Sequence, residues 1–153
     1  MKVVDFLQPE RIVATLAAKN KPAVLAELSS HLAKLEPGVD AESLRRVLEE
    51  RELLASTAIG DGIAIPHGKL DSVGHLVGAL GRSVEGIEFE SIDGKPTHLI
   101  FMLVAPASST GVHLKALARL SRLFRDPEFR QRLLAAPSGD AMYQVIAEED
   151  AKY

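Results

Sequence analysis

A single histidine stands where an apolar run of the sequence ends in a turn. Residues 60–69 read Gly-Asp-Gly-Ile-Ala-Ile-Pro-His-Gly-Lys, so His67 lies between Pro66 and Gly68. Proline fixes one backbone torsion and glycine permits the close approach of a ligand, so this pair displays the imidazole ring. A neutral imidazole has a free nitrogen lone pair and can attack phosphorus to form a phosphoramidate. The pattern fits a phosphoryl-accepting histidine, and it also fits an ordinary surface histidine in a turn.

Phosphoryl transfer depends on groups that align the reactants and meet the charge on the equatorial oxygens. Arg51, Lys69 and His113 are the candidate side chains for this role. His113 follows the loop 108–111 (Ser-Ser-Thr-Gly), which predicts a helix start where backbone N–H groups attract anions. Arg51 lies in the charged run 49–52, which is also typical of an exposed helix face. Taken alone, Arg51 and His113 therefore also fit ordinary surface positions.

The other motifs in the sequence give little support for a different reaction. Surface or packing roles are expected for the remaining histidines, His31, His75 and His98. The histidines lack the paired spacing of zinc sites, so no metal site is expected. Five residues rather than four separate Gly62 from Gly68, and Leu70 stands where a P-loop has a hydroxyl. Ile65 occupies the third glycine position of a dinucleotide fingerprint, and no G-x-S-x-G elbow is present. These patterns favour histidine itself as the nucleophile.

The composition is that of a globular chain without a dominant charge or a reactive thiol. Of 153 residues, 46% are apolar and 25% are charged, which argues against disorder and predicts one domain over residues 1–153. The net charge of −3 provides no global field for nucleic acid or an anionic membrane. The absence of cysteine excludes disulfides and thiolate nucleophiles. No run resembles a signal peptide or reaches the ~20 apolar residues of a membrane span, so we expect a cytoplasmic protein without membrane insertion.

Hydrophobic periodicity predicts the elements that must position the candidate residues. Strands are predicted at 12–16, 59–65, 76–80 and 99–104, and helices at 22–35, 41–53, 114–124, from 127 onward and at 138–148. Asp40 and Asp126 are the predicted N-caps of the second and fourth helices, and Pro127 takes the first helical position after Asp126. Helices before and after a central group of strands favour an α/β fold, a single domain in which helices cover a mixed β-sheet.

A longer block around His67 resembles a known family. Residues 51–69 read Arg-Glu-Leu-Leu-Ala-Ser-Thr-Ala-Ile-Gly-Asp-Gly-Ile-Ala-Ile-Pro-His-Gly-Lys. This block resembles the type 2 enzyme IIA domains of the fructose and mannitol class in the bacterial phosphotransferase system, and among them the nitrogen-regulatory enzyme IIA proteins. The pair His113-Leu114 and residues 141–146 (Ala-Met-Tyr-Gln-Val-Ile) extend the likeness over nearly the whole chain. Ala58 stands where the family often has glycine, which is a small departure.

The resemblance implies a fold and a role for each candidate residue. It implies a mixed β-sheet sandwiched by α-helices, with no cofactor. His67 would accept a phosphoryl group on Nε2 from a phosphorylated HPr-like (NPr) carrier. His113 would hydrogen-bond that group, and Arg51 would help to hold it. Because all three residues are present, a binding module that has lost phosphotransfer is disfavoured.

Two functions are open within the resembled family. In the sugar branch, the phosphoryl group passes to a IIB domain and then to sugar entering through a membrane IIC domain, often in one chain. This sequence shows neither companion, and Lys69 stands where sugar-specific relatives commonly have threonine, so the resemblance favours the regulatory branch. There, phosphorylation adds about two negative charges to one face and changes the binding of regulated proteins. Such partners include potassium-transport components and sensor kinases, and no nucleic acid is expected.

Overall fold

The protein consists of six strands and five α-helices. A computed structural model describes all residues from 1 to 153. The strands are β1 (Ile12–Val13), β2 (Ala58–Gly60), β3 (Ile63–Ala64), β4 (His67–Leu70), β5 (Val77–Ile87) and β6 (Thr97–Pro106). The helices are α1 (Lys21–Leu35), α2 (Ala41–Leu54), α3 (Thr110–Phe124), α4 (Pro127–Ala135) and α5 (Gly139–Asp150). All five predicted helices are present, with shifts at their ends.

The sheet is mixed and is organised around β6. Its strand order is β1-β5-β6-β3-β2, and β4 also pairs with β6. Strand β6 runs antiparallel to β5 and parallel to both β3 and β4. Nearly all of its side chains are buried, as is usual for a strand covered on both faces. The mixed character predicted from the sequence is therefore confirmed.

Each face of the sheet has its own hydrophobic core. Successive side chains of a strand point to opposite faces, so the residues of β6 divide between the two cores. Leu99 and Phe101 belong to a core of 22 buried residues that includes side chains of α3, α4 and α5. Ile100 and Met102 belong to a core of 20 buried residues that includes side chains of α1 and α2. Helices thus sandwich the sheet, which confirms the predicted α/β class.

Side-chain caps determine where several helices begin. The carboxylate of Asp40 accepts a hydrogen bond from the Ser43 N–H at 2.9 Å, and that of Asp126 accepts one from the Glu128 N–H at 2.9 Å. Such bonds satisfy N–H groups that have no partner within the helix. Both predicted caps are confirmed. Asn20 caps α1 in the same way, which the sequence analysis missed.

The single strand predicted at 59–65 is in fact a hairpin. Strands β2 and β3 are antiparallel, and the turn between them holds Asp61 and Gly62 at φ values of 58° and 79°. These left-handed torsions reverse the chain, and Asp-Gly is a favoured pair for such turns. The expectation of one unbroken strand is wrong because this pair interrupts the apolar run.

The turn predicted around His67 is also wrong. Residues 67–70 form β4, and His67 is its first residue, opposite Leu103 of β6. A Cβ atom at Gly68 would lie 2.5 Å from Cγ1 of Val47 on α2. Glycine is therefore required at this position for the close packing of β4 on α2.

Two further strands differ in length from the prediction. Strand β1 ends at Val13 rather than at residue 16, and Glu27 binds two backbone N–H groups of the segment that follows. Strand β5 continues to Ile87 rather than stopping at residue 80. Its added part contains buried Arg82, which donates to backbone carbonyls of the segment 133–136. Because this part contains polar residues, its hydrophobicity pattern does not indicate a strand.

The helices are too short or too polar for any of them to cross a bilayer.

Candidate functional site

His67 is held by the backbone immediately before it. Its Nδ1 lies 2.8 Å from the carbonyl oxygen of Ile65. A carbonyl oxygen only accepts hydrogen bonds, so this contact places the ring proton on Nδ1. In the neutral ring, Nε2 then keeps an unprotonated lone pair. The position at the start of β4 therefore selects one tautomer of the imidazole.

The surroundings of His67 favour its neutral form. Burial is the main cause that lowers the pKa of His67 below its ordinary value, and the positive charge of Arg51 lowers it further. The hydrogen bond to Ile65 and the negative charge of Glu52 oppose this shift but do not outweigh it. At neutral pH the ring is consequently uncharged, which is the form that has a nucleophilic nitrogen.

His113 lies directly against His67. The two ring centroids are 5.4 Å apart and the ring planes are inclined by 72°. Burial is the main cause that lowers the pKa of His113 to about 4, and the charge that His67 carries once protonated and the charge of Lys69 lower it further. Its Nε2 is buried and makes no hydrogen bond. Because buried polar atoms normally have partners, this nitrogen is a candidate contact for a bound group.

Arg51 and His67 line the same cleft, which we name the His67 cleft. It has a volume of about 230 Å³, and the lining side chains are Arg51, Ser56, Thr57, Ile59, Ile65, His67, Leu117 and Ser121. Arg51 lies near the end of α2, where its Nη1 donates to the carbonyl of Ala55 at 2.9 Å. It is in none of the ion pairs of the protein, so its charge is available to an anion. Three other clefts are larger, about 360, 370 and 410 Å³, but contain neither His67 nor His113.

The charged run 49–52 is typical of an exposed helix face, but the side chain of Glu52 within it is only 5% exposed. Its carboxylate accepts hydrogen bonds from the N–H group of Thr57, at 3.1 Å, and from the hydroxyl of the same residue. It also pairs with the ammonium of Lys21 at 3.0 Å. Glu52 thus fixes the segment that forms one wall of the His67 cleft. No local pattern distinguishes it from its exposed neighbours, since its partners lie outside α2.

Lys69 lies beside this arrangement rather than within the cleft. Its Nζ donates to Oγ1 of Thr110 at 3.0 Å, which joins β4 to the first residue of α3. The three remaining histidines lie elsewhere, where His31 contacts the carbonyl of Glu10 and His98 that of Ser83. His75 is exposed and lies 3.7 Å from Glu36.

Histidine and carboxylate side chains form no group of three or more that could hold a metal ion. The groups that the structure brings together are the imidazole of His67, the guanidinium of Arg51 in the same cleft and, against the ring of His67, the imidazole of His113.

Comparison with known proteins identifies the family. The family described as "Phosphoenolpyruvate-dependent sugar phosphotransferase system, EIIA 2" matches residues 5–149. The chain belongs to this EIIA family. This confirms the family predicted from residues 51–69, from His113-Leu114 and from residues 141–146. The protein is a phosphotransferase component.

Two relatives illustrate the range of this EIIA family. The chain is 41% identical over 147 residues to a "Nitrogen regulatory protein" of Bradyrhizobium diazoefficiens, covering 96% of this chain and 95% of the relative. It is 39% identical over 150 residues to the "PTS system fructose-specific EIIABC component" of Bacillus subtilis, covering 98% of this chain but 24% of that protein. The chain therefore matches nearly the whole length of the first relative, but only one part of the second.

Solved structures agree with this EIIA assignment. The crystal structure of "Nitrogen Regulatory Protein IIA-Ntr from Neisseria meningitidis" has a TM-score of 0.87 and 31% identity, covering 93% of this chain and 97% of that one. The IIA mannitol structure from Escherichia coli has a TM-score of 0.78 at 23% identity, which shows the shared fold.

Proposed function

We propose that the protein is a phosphoryl carrier in which Nε2 of His67 accepts the phosphoryl group. The observation that carries this proposal is the 2.8 Å contact between Nδ1 of His67 and the Ile65 carbonyl, since it leaves Nε2 as the free nucleophile. The lowered pKa of His67 supports it, because a larger share of the ring is neutral at a given pH.

The proposed donor is a phosphorylated HPr-like (NPr) carrier. The Nε2 lone pair attacks phosphorus, a new P–N bond forms, and the bond between phosphorus and the donor atom breaks. The electron pair of that bond returns to the donor atom. The proton stays on Nδ1 of His67, hydrogen-bonded to the Ile65 carbonyl, so the step needs no proton transfer within the cleft. The product is a phosphoramidate, which retains the capacity to transfer its phosphoryl group.

His113 and Arg51 are proposed to contact the phosphoryl oxygens. The unpartnered Nε2 of His113 would donate a hydrogen bond to one oxygen, which supplies the partner that this buried atom lacks. The unpaired guanidinium of Arg51 would face the negative charge, and its planar donors suit phosphate oxygens. Phosphoryl transfer is accelerated chiefly by such alignment and charge stabilisation.

Incubation with a radiolabelled phosphorylated HPr-type protein tests the proposal. We expect the wild-type protein to acquire an acid-labile, base-stable label and His67→Ala to acquire none. His75→Ala is the matched control, because that histidine is exposed and lies outside the cleft. Absence of label on the wild-type protein, or full labelling of His67→Ala, would contradict the proposed role of His67.

Within the family, we propose a regulatory role in nitrogen-linked phosphotransfer. Similarity along the whole length of a relative named "Nitrogen regulatory protein" supports this choice. A second such relative, from Pseudomonas aeruginosa, is 30% identical over 148 residues. We propose that residues 1–153 act as one cytoplasmic domain whose phosphorylation changes its binding of targets such as potassium-transport components or sensor kinases. The added charge of about two units on the cleft is the proposed physical signal.

Partner capture tests this regulatory role. Unphosphorylated wild-type protein and a His67→Asp variant, which carries a negative charge at the same position, should retain different sets of proteins. Identical sets would contradict a charge-dependent switch.

Sugar phosphorylation is the second candidate function, since the chain is 39% identical to part of a fructose-specific EIIABC component. In that case the phosphorylated protein would transfer its label to a fructose-class or mannitol-class IIB domain. Rapid transfer to either domain would favour the sugar role, whereas retention of the label would favour the regulatory one.

A further inference from the structure

A continuous series of hydrogen bonds connects buried Glu52 to the imidazole of His67. The Glu52 carboxylate binds both the N–H group and the hydroxyl of Thr57. The carbonyl of Thr57 accepts from the N–H group of Ile65 at 3.0 Å. The carbonyl of Ile65 in turn accepts from Nδ1 of His67 at 2.8 Å. The series joins the last turn of α2 to the first residue of β4.

We propose that Glu52 is a positioning residue that keeps His67 in the tautomer with Nδ1 protonated and Nε2 free. The proposal deepens the function given above, since it rests on Nε2 being the phosphoryl acceptor. Glu52 makes no hydrogen bond to His67. Apart from the effect of its charge on the pKa of the ring, it reaches His67 only through the hydrogen bonds of Thr57 and Ile65. The contact between Nδ1 and the Ile65 carbonyl is the part of the series that selects the tautomer.

The orientation of the Ile65 carbonyl depends on Thr57. The bond between the Ile65 N–H and the Thr57 carbonyl continues the pairing of β2 with β3, in which Ala58 lies opposite Ala64. On its other side, Ile65 precedes Pro66, which has no N–H group and a restricted φ. Thr57 therefore supplies the hydrogen bond that fixes Ile65 before the proline. If Thr57 moves, the carbonyl turns and the ring loses its preference for a proton on Nδ1.

Lys21 anchors the other end of the series. Its ammonium lies 3.0 Å from Glu52 and 3.1 Å from Glu90, and 4.8 Å from the ring centroid of Phe89. The side chain of Lys21 is 11% exposed, so both charges of the Lys21–Glu52 pair are shielded from water. A buried carboxylate needs such a partner to remain charged in place. The first residue of α1 thus holds the carboxylate against Thr57.

The test compares four variants by NMR and by phosphorylation kinetics. Glu52→Gln removes the charge that binds Lys21, and Thr57→Val removes the hydroxyl while keeping the shape and the N–H group. Thr57→Ser keeps the hydroxyl and removes only the methyl group. Glu50→Gln is the matched control, since Glu50 is an exposed residue of the same helix.

Long-range ¹H–¹⁵N spectra of the histidine ring report which nitrogen carries the proton. We expect wild type, Glu50→Gln and Thr57→Ser to show His67 protonated on Nδ1. Glu52→Gln and Thr57→Val should show a substantial share of the form protonated on Nε2. Their phosphorylation kcat should fall about tenfold, with the KM for the phosphorylated donor unchanged within about twofold, because an Nε2-protonated ring does not react.

The proposal is overturned if the ring of Glu52→Gln and Thr57→Val keeps the wild-type tautomer, or if Thr57→Ser is as impaired as Thr57→Val. Should Glu52→Gln fail to fold, the two Thr57 variants decide, since only the serine variant keeps the hydroxyl that binds Glu52. The NMR measurement needs no phosphate. A wild-type protein that takes no label but shows the expected tautomers would therefore refute the phosphoryl-acceptor function and leave the positioning role standing.

Discussion

His67 and His113 lie with their ring centroids 5.4 Å apart, yet their surroundings differ in kind. On the His67 side, the ring nitrogen Nδ1 is bound to a carbonyl that is itself fixed by Thr57 and, through it, by Glu52. On the His113 side, the ring nitrogen Nε2 is buried without any partner. One imidazole has its proton placed by the protein, whereas the other has a polar atom that the protein leaves unsatisfied.

The difference explains how two neighbouring histidines could take the two roles proposed for them. A nucleophile needs a defined lone pair, which the β2–β3 hairpin and the start of β4 provide for His67. A group that stabilises the transferred phosphoryl needs an open hydrogen-bonding position, which α3 provides in His113. The proposed assignment of nucleophile and supporting residue thus follows from the hydrogen bonds of each ring.

Removal of the His113 ring should give the largest effect short of losing His67 itself. We expect His113→Ala to take up label from the phosphorylated donor about one hundredfold more slowly than wild type, because a hydrogen-bond donor to the phosphoryl group is lost. The label should still reside on His67. Rapid-quench kinetics with phosphopeptide mapping would measure both quantities. A complete loss of label in His113→Ala would make the two histidines equivalent and break the comparison.

Removal of the Arg51 charge should have a smaller effect on the rate and a distinct effect on His67. In Arg51→Gln, we expect the phosphorylation rate to fall about tenfold through loss of charge stabilisation. The pKa of His67 should rise toward its ordinary value, since the positive charge of Arg51 lowers it in the wild type. NMR titration of the ring measures the pKa. Arg46→Gln, an exposed position on the same helix, is the control and should leave both quantities unchanged.

The low pKa of His113 should appear in the pH dependence of stability. His113 has a pKa of about 4 in the folded protein and about 6.5 when unperturbed, so the unfolded chain binds the extra proton between these pH values. Stability contributed by the neutral ring is present above pH 6.5 and is lost as the pH falls toward 4. We expect about 1 kcal/mol, because solvent in the adjoining cleft screens part of the effect.

Denaturant unfolding of wild type and His113→Gln at a series of pH values isolates this contribution from that of the carboxylates. The difference in unfolding free energy between the two proteins should change between pH 6.5 and 4, in the direction that weakens the wild type. A difference that stays constant over this range would show that the ring of His113 titrates normally.

Replacement of Lys69 should have the smallest effect on the phosphorylation rate, and its electrostatic effect should be confined to His113. The charge of Lys69 contributes to the low pKa of His113, so Lys69→Met should raise that pKa. The loss of its contact with Thr110 should change the phosphorylation rate by less than about threefold. Lys115→Met, at an exposed position of α3, serves as the control. A larger fall in rate would place Lys69 among the groups that contact the phosphoryl donor.

Several parts of the fold were predictable from the sequence because their signals are local. Asp40 and Asp126 mark helix starts because a cap bonds to an N–H group two or three residues later. The hairpin at Asp61 was missed although its Asp-Gly pair is also a local signal. The strand that begins at His67 has no such signal, because its pairing with Leu103 joins distant parts of the chain.

The candidate site was predictable to a smaller degree from residue types alone. Pro66 and Gly68 drew attention to His67, although the structure gives Gly68 a packing role against Val47. The placement of Arg51 and His113 near His67 followed only from the family resemblance. Glu52 was missed because a glutamate in a charged run is usually exposed, and its burial depends on Lys21, which comes from another helix.

Strand β6 determines the spacing between His67 and His113. His67 lies opposite Leu103, and β6 ends at Pro106 shortly before α3 begins at Thr110 with His113 in its first turn. Few residues lie between Leu103 and the start of α3, so their number limits how far apart the two imidazoles can lie. Added residues between Leu103 and Thr110 would move the two rings apart, so that they could not both contact one phosphoryl group as proposed. Added residues in the 88–96 connection, which precedes β6, would leave this spacing intact, provided that Phe89 and Glu90 keep their contacts with Lys21.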